Sequence, residues 1–76
     1  MKESLEAIIT SLVSDVSSVS INEIDGEKST TFEVKVASSD MGKVIGKEGR
    51  IARAIRTVMK AVASKEGKKV TIEFID

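Results

Sequence analysis

The chain has 76 residues with 12 basic and 12 acidic side chains, and it contains no histidine, cysteine, tryptophan, tyrosine or proline. A chain of this length is expected to form one domain, residues 1–76, around a small core. Without cysteine and histidine it lacks a disulfide framework, a thiolate nucleophile, a cysteine-type zinc site and the usual proton carrier near neutral pH, so no cofactor or metal is expected. The polar first residues and short apolar runs predict neither a signal peptide nor a membrane span, and we expect a cytoplasmic protein.

The first predicted element is an amphipathic helix over residues 2–15, because apolar residues recur there at helical spacing and Ser17 and Ser18 follow. The apolar residues are Leu5, Ile8, Ile9, Leu12, Val13 and Val16. Two extended segments come next, since apolar and polar residues alternate on both sides of residues 25–28. Gly26 can take the positive φ of a tight turn between these two strands.

The second half of the chain predicts two helices and a last strand. Ser38, Ser39 and Asp40 have the composition of a helix cap, followed by a short helix to about Ile45. Residues 46–49 interrupt it, and a helix over residues 50–65 follows, with Gly67 expected as its left-handed C-cap. Its predicted core stripe is Ile51, Ile55, Val58 and Val62. The final strand has its inward residues at Val70, Ile72 and Phe74. The order α-β-β-α-α-β predicts an α+β fold in which three helices cover one face of a three-stranded sheet.

Charge is balanced overall but segregated along the chain. Residues 1–33 hold seven acids and two lysines, a net charge of −5, whereas residues 43–60 hold six bases and only Glu48 as an acid, a net charge of +5. A basic segment of this kind favours a polyanionic partner, although a solvated helix face has the same pattern.

The loop Gly46-Lys47-Glu48-Gly49 lies inside the basic segment. Glycines allow a sharp turn and the close approach of another backbone, and the helix that follows presents free amides and the positive end of its dipole. The spacing therefore suits a phosphodiester, but it suits an ordinary exposed corner between two helices equally well.

The string Val-Ile-Gly-Lys-Glu-Gly-Arg-Ile at residues 44–51 resembles the V-I-G-x-x-G-x-x-I signature of KH (K-homology) RNA-binding domains. The element order resembles their type II, bacterial arrangement. Over essentially its whole length the chain is similar to the small single-domain bacterial KH proteins of the KhpA kind. GxxG alone is weak evidence, but GxxG between two helices with these flanking residues is specific.

The resemblance implies a groove for about four single-stranded nucleotides. Carried over to this sequence, Gly46, Lys47, Glu48 and Gly49 clamp the phosphate backbone, Lys43 and Arg50 flank them, Arg53 lies one turn further, and Ile45 belongs either to the groove floor or to the core. The resemblance also implies a homodimer or a larger KH-containing partner, and a role as an RNA chaperone or post-transcriptional regulator linked to cell shape and cell division.

Other functions fit the residues less well. Residues 42–47 have three residues rather than four between their glycines, and Glu48 stands where a P-loop needs Ser or Thr, which argues against a nucleotide hydrolase. The two aromatic residues, Phe32 and Phe74, are both expected in the core rather than on a stacking platform. The main alternative is a protein-interaction subunit whose partner carries most of the RNA binding; an enzyme is a distant third.

Overall fold

The computed structural model describes residues 1–75, which form three helices and three strands connected by short turns. In chain order they are α1 (Lys2–Leu12), β1 (Ser20–Asp25), β2 (Ser29–Lys35), α2 (Met41–Ile45), α3 (Arg50–Lys65) and β3 (Lys69–Ile75). Single 3-10 turns lie at Val16–Ser18, Ser38–Asp40 and Lys47–Gly49. None of the helices within residues 1–75 combines the length and the apolar character that a bilayer-spanning segment needs.

The three strands form one mixed sheet with β2 in the middle. β1 pairs with β2 in the antiparallel sense after a tight turn, whereas β3 pairs with β2 in parallel because α2 and α3 carry the chain between them. Burial alternates along β2, so one face of the sheet is covered and the other faces solvent. The predicted α+β class and the α-β-β-α-α-β order of the type II KH arrangement are confirmed.

The hydrophobic core lies between the covered face of the sheet and the helices. Its buried members are Leu5, Ile9, Phe32, Val34, Val36, Val44, Ile55, Met59 and Ile72. The buried side chain of Val44 anchors α2 to this core, and this contact fixes the position of the loop that follows α2. Phe32 is completely buried, as predicted, but Phe74 is only half-buried and carries the guanidinium of Arg56 at 5.4 Å from its ring centre.

The first helix is shorter than helical spacing predicts. It ends at Leu12, and Val16 lies in a 3-10 turn with 54% of its surface exposed, so the predicted end near residue 15 is wrong. The amides of Ser14 and Asp15 instead donate to the carboxylate of Asp40, at 3.1 and 2.9 Å. A side chain more than twenty residues away therefore takes the hydrogen bonds that would have continued the helix.

The third helix has the predicted bounds, and its most buried face lies beside the predicted stripe. The buried residues are Ala52, Ile55, Met59 and Ala63. Of the predicted stripe, Ile55 is buried, Ile51 and Val62 are partly buried against the core, and only Val58 is outside it. Val58 is 48% exposed. Apolar residues occupy both stripes, so periodicity alone does not choose between them. The contacts of α3 with the rest of the fold decide which stripe is most buried, and that stripe combines two alanines with Ile55 and Met59.

Three turn predictions have different outcomes. The turn between β1 and β2 is confirmed, but Gly26 is not among the residues with positive φ; its amide donates to the Ser29 carbonyl. No side chain of Ser38–Asp40 caps the start of α2, because Asp40 is turned to the end of α1 instead. Gly67 has a φ of +69°, and its amide and the next one donate to carbonyls of the last helical turn, as in a Schellman motif.

Candidate nucleic-acid interface

The loop between α2 and α3 turns through backbone conformations that favour glycine. Gly46 has a φ of +75° and a ψ of 176°, and Gly49 has a φ of +73° immediately before the first residue of α3. The Gly49 amide donates to the Gly46 carbonyl at 3.2 Å. The loop is therefore a closed turn, and its backbone is presented at the start of a 16-residue helix.

The two glycines have different surroundings. A Cβ at Gly46 would lie 2.6 Å from Cγ1 of Ile51, whereas a Cβ at Gly49 would meet no atom within 4 Å. Gly46 is thus needed for internal packing as well as for its φ. Gly49 is needed only for its φ, and the space beside its Cα is open to an approaching molecule.

Glu48 lies between the glycines in the left-handed region, with a φ of 56° and a ψ of 24°. It is the only non-glycine residue with a positive φ within residues 1–75, a conformation that costs an L-residue about 1–2 kcal/mol. Its side chain is 81% exposed and its Oε2 lies 3.8 Å from Nη2 of Arg50, which is 74% exposed. A pair so exposed is weak, so an anion can compete with Glu48 for Arg50.

Three of the predicted cations surround the start of α3. Lys47 is exposed in the loop, and Arg50 and Arg53 are exposed one turn apart on the same side of the helix. The first amides of a helix have no partner within the helix, and its dipole places partial positive charge there. The amides of Gly49 and Arg50 already donate to the carbonyls of Gly46 and Lys47, so the helix dipole and the exposed cations are what favour an anion here.

Ile45 lies at the end of α2, directly before the loop. It is partly buried and packs against the core cluster, next to the fully buried Val44. Part of its apolar surface therefore remains accessible beside the loop, while the rest belongs to the core.

The comparisons with known proteins identify the family. The family model described as KhpA/KhpB, KH domain, matches residues 2–74. The chain belongs to the KhpA/KhpB family of KH domains. It is 59% identical to the RNA-binding protein KhpA of Clostridium perfringens over 75 residues, which cover 99% of this chain and 100% of the relative. It is 57% identical to the protein of the same name from Clostridium acetobutylicum, with the same coverage, and 42% identical to that of Aquifex aeolicus over 100% of this chain and 96% of the relative. No solved structure matches the chain significantly.

Within this KH domain, Lys43 differs from the other predicted site cations because its charge is already paired. Its Nζ lies 3.2 Å from Oδ1 of Asp40 and also donates to the hydroxyl of Ser14. The Asp40 side chain is only 2% exposed. Its pKa is lowered chiefly by the hydrogen bonds from the Asp15 and Ser14 amides, and Lys43 lowers it further. Through its contacts with Asp40 and Ser14, Lys43 therefore links α2 to the segment that follows α1.

Asp40 supports the candidate site in a way that the sequence did not predict. It joins the end of α1 to the start of α2 and so supports the helix that leads into the loop. Its partners lie 25 and 26 residues earlier, and Ser-Ser-Asp before a helix looks like an ordinary cap. No local signal distinguishes these two uses of an aspartate.

Proposed function

We propose that this protein binds single-stranded RNA and is not an enzyme, and that residues 46–49 hold the phosphate backbone of about four nucleotides. The observation that carries the proposal is the open backbone at Gly49 beside the exposed cations Lys47, Arg50 and Arg53 at the start of α3. The relatives named RNA-binding protein KhpA support the choice of RNA as the ligand.

The geometry suggests how each residue acts. A phosphate lies in the open space beside the Cα of Gly49, at the positive end of the α3 dipole, and Lys47 and Arg50 neutralise it. Arg53 reaches the next phosphate one turn along α3, and Ile45 offers apolar surface to a base. Lys43 acts indirectly by holding α2 in place. Two or three neutralised phosphates give modest affinity, and log K should fall with log salt at a slope of about −1.4 to −2.1.

A dimer has two copies of this short site and can bind one RNA molecule with both. Its affinity for RNA is higher than that of one copy, because the second contact with the same RNA is intramolecular. We therefore extend the proposal to a homodimer, or a complex with a larger KH-containing partner, that acts as an RNA chaperone or post-transcriptional regulator. The family description names both KhpA and KhpB, which supports a partner of the same domain type.

The second candidate function is a protein-interaction subunit, in which the partner carries most of the RNA binding. One observation favours it: α3 leaves Val58 48% exposed, with the exposed alanines Ala54 and Ala61 near it in sequence. Apolar surface that the fold itself does not use is typical of a contact with another protein.

A charge-reversal variant separates the two candidates. Lys47→Asp/Glu48→Asp changes exposed side chains and spares the core, and Lys35→Asp is its control, because it makes the same change in net charge at an exposed position on β2. If the first proposal is right, RNA affinity measured by fluorescence anisotropy falls at least about fivefold at 0.1 M salt in the double variant, since one phosphate contact is worth about 0.7 log units there. Lys35→Asp should have little effect.

Circular dichroism and sedimentation would show that both variants remain folded and keep their association state. Unchanged RNA crosslinking in cells by the folded double variant would refute the loop as the RNA site and favour the interaction subunit. In that case RNA is recovered with this protein only through its partner. Val58→Asp should then reduce the recovery of RNA, because it disrupts the contact with the partner and leaves the loop intact.

A further inference from the structure

A groove lies between α1 and β1, at the edge of the sheet opposite β3. Its volume is about 270 Å³, and it is lined by Lys2, Glu6, Thr10, Val16, Val19 and Ile21. We call this space the α1–β1 groove. Because small-molecule sites usually occupy about 300–1,000 Å³, a groove of this size suits the side chains of a peptide better than a cofactor.

The β1 side of the groove is a free strand edge. β1 ends the order β1-β2-β3, and in the part of the chain that the structure describes it pairs only with β2. Its six residues are exposed except for the half-buried Ile21. The peptide groups on its outer edge can therefore pair with one more extended strand. Such a strand would direct every second side chain toward α1 and into the groove.

Apolar side chains form the floor of the α1–β1 groove. Val19 and Ile21 are partly buried against the core, whereas Val16 is 54% exposed. On the helix side, Lys2 and Thr10 mark the ends of a row with a spacing of four residues. This row is about 12 Å long, at 1.5 Å per residue, which matches about four residues of extended chain. Two small aliphatic side chains of such a segment would face the floor.

Acidic side chains accompany the groove along α1, before β1 and along β1. They are Glu6, Asp15, Glu23 and Asp25. Within residues 1–75 none of these four acids forms an ion pair. The pKa of Glu23 is raised chiefly by its hydrogen bond with Asp25, and the charge of Lys2 lowers it only in smaller part. Lys2, the one cation of the lining, therefore does not neutralise the negative charge around the groove.

The acids decide which strand fits the free edge. If two copies of β1 paired edge to edge, Glu23 and Asp25 of both chains would come together without a cation, because β1 has none. RNA is repelled by the same charges. An extended segment with basic residues is attracted, and its aliphatic residues cover the floor of the groove. Charge complementarity therefore selects a basic protein segment over a second copy and over RNA.

We propose that the α1–β1 groove binds an extended basic segment of a partner protein, which adds a strand to the free edge of β1. The segment has small aliphatic side chains at alternate positions facing the groove. Its ends carry lysine or arginine, one beside Glu23 and the other beside Asp15. The groove uses none of the residues of the proposed RNA site, so this inference goes beyond the proposed function and does not rest on it.

The test is an NMR titration of the full chain with the synthetic peptide Lys-Thr-Val-Thr-Val-Thr-Lys, blocked at both ends, which has lysine and valine at its alternate positions. One comparison peptide has glutamate in place of both lysines. Another is N-methylated at two successive central residues, of which one must donate to β1 in a paired strand. The groove variant is Glu6→Gln/Glu23→Gln, and Glu27→Gln/Glu73→Gln is its control, with the same change in net charge at exposed positions outside the groove.

With the lysine peptide the backbone amide signals of Ile21 and Glu23 should shift, and those of Gly49 and Arg50 should not. The groove variant should bind this peptide about fivefold more weakly than the control, because two exposed charge pairs are lost. The N-methylated peptide should also bind about fivefold more weakly to the unmodified protein, since it lacks a backbone hydrogen bond. The glutamate peptide should bind more weakly still, because repulsion replaces attraction.

Each other result overturns a definite statement. If the lysine peptide shifts no amide of β1, the proposal fails and the proposed RNA function stands. Equal affinity for the lysine and N-methylated peptides would refute the added strand, and equal affinity of the groove variant and its control would refute the selection by charge. Shifts along β1 on raising the protein concentration alone would assign the edge to a second copy. Shifts there with a four-nucleotide RNA and not with the lysine peptide would assign the groove to RNA.

Discussion

Substitution of each loop glycine by alanine tests whether Gly46 and Gly49 have the different roles that their surroundings indicate. Both changes remove similar freedom from the unfolded chain, which stabilises a protein by about 0.4–1 kcal/mol. Any difference between the two variants therefore reports on the folded state. Both residues have a positive φ, so both variants are strained, but only Gly46 has a neighbour on its Cβ side.

The expected losses follow from the geometry. At Gly49, with φ +73° and ψ 18°, an alanine costs about 1–2 kcal/mol, which leaves a net loss of about 1 kcal/mol. At Gly46, with φ +75° and ψ 176°, the backbone is in a region used almost only by glycine, at about 1–3 kcal/mol. The new methyl group would also lie 2.6 Å from Ile51, and such overpacking costs about 1–3 kcal/mol more. A net loss of about 3–4 kcal/mol is expected there.

Urea denaturation of both variants would measure these losses. A chain of 76 residues has a free energy of unfolding of about 4–11 kcal/mol, so Gly46→Ala removes a large part of it. In thermal denaturation, the Tm of Gly46→Ala should therefore fall much further than that of Gly49→Ala. A double-mutant cycle with Ile51→Ala should show that the two changes compensate, because the smaller side chain relieves the overlap. Equal losses at the two glycines, or no coupling between Gly46 and Ile51, would refute this account of the loop.

Three further predictions concern single residues. Glu48→Lys should tighten RNA binding about fivefold at 0.1 M salt and steepen the salt slope by about 0.7, since it adds one cation to the loop; an unchanged Kd in anisotropy titrations would contradict this. Asp40, whose pKa is lowered chiefly by its bond from the Asp15 amide, stabilises the fold at neutral pH and loses that effect as pH falls below about 4. The urea midpoint of Asp40→Asn should therefore be lower at neutral pH and less sensitive to acid than that of the unmodified protein; parallel pH profiles would count against it. Met59→Ala, which empties a completely buried position, should cost about 2–5 kcal/mol, whereas Val58→Ala, at a position 48% exposed, should cost much less in monomeric protein; similar denaturation midpoints would show that the wrong face was assigned.

The candidate loop was predictable because its signals are local. Glycines at 46 and 49, the cations around them and the change from one helix to the next all lie within about ten residues, and such features depend on backbone preferences more than on distant contacts. The bounds of α3 and its C-terminal glycine were predictable for the same reason. The role of Lys43 was not, because the carboxylate that pairs with it was expected to cap a helix.

What the sequence by itself determined is the order of elements, the family and the place of the basic loop, since periodicity and turn residues act over one or two turns of chain. Only the tertiary structure decided where α1 ends, which face of α3 is buried and which loop glycine is in contact with a side chain. These features depend on contacts between residues far apart in the chain. Asp40 ends α1 from 25 residues away, and the most buried face of α3 depends on its contacts with β3, α2 and α1.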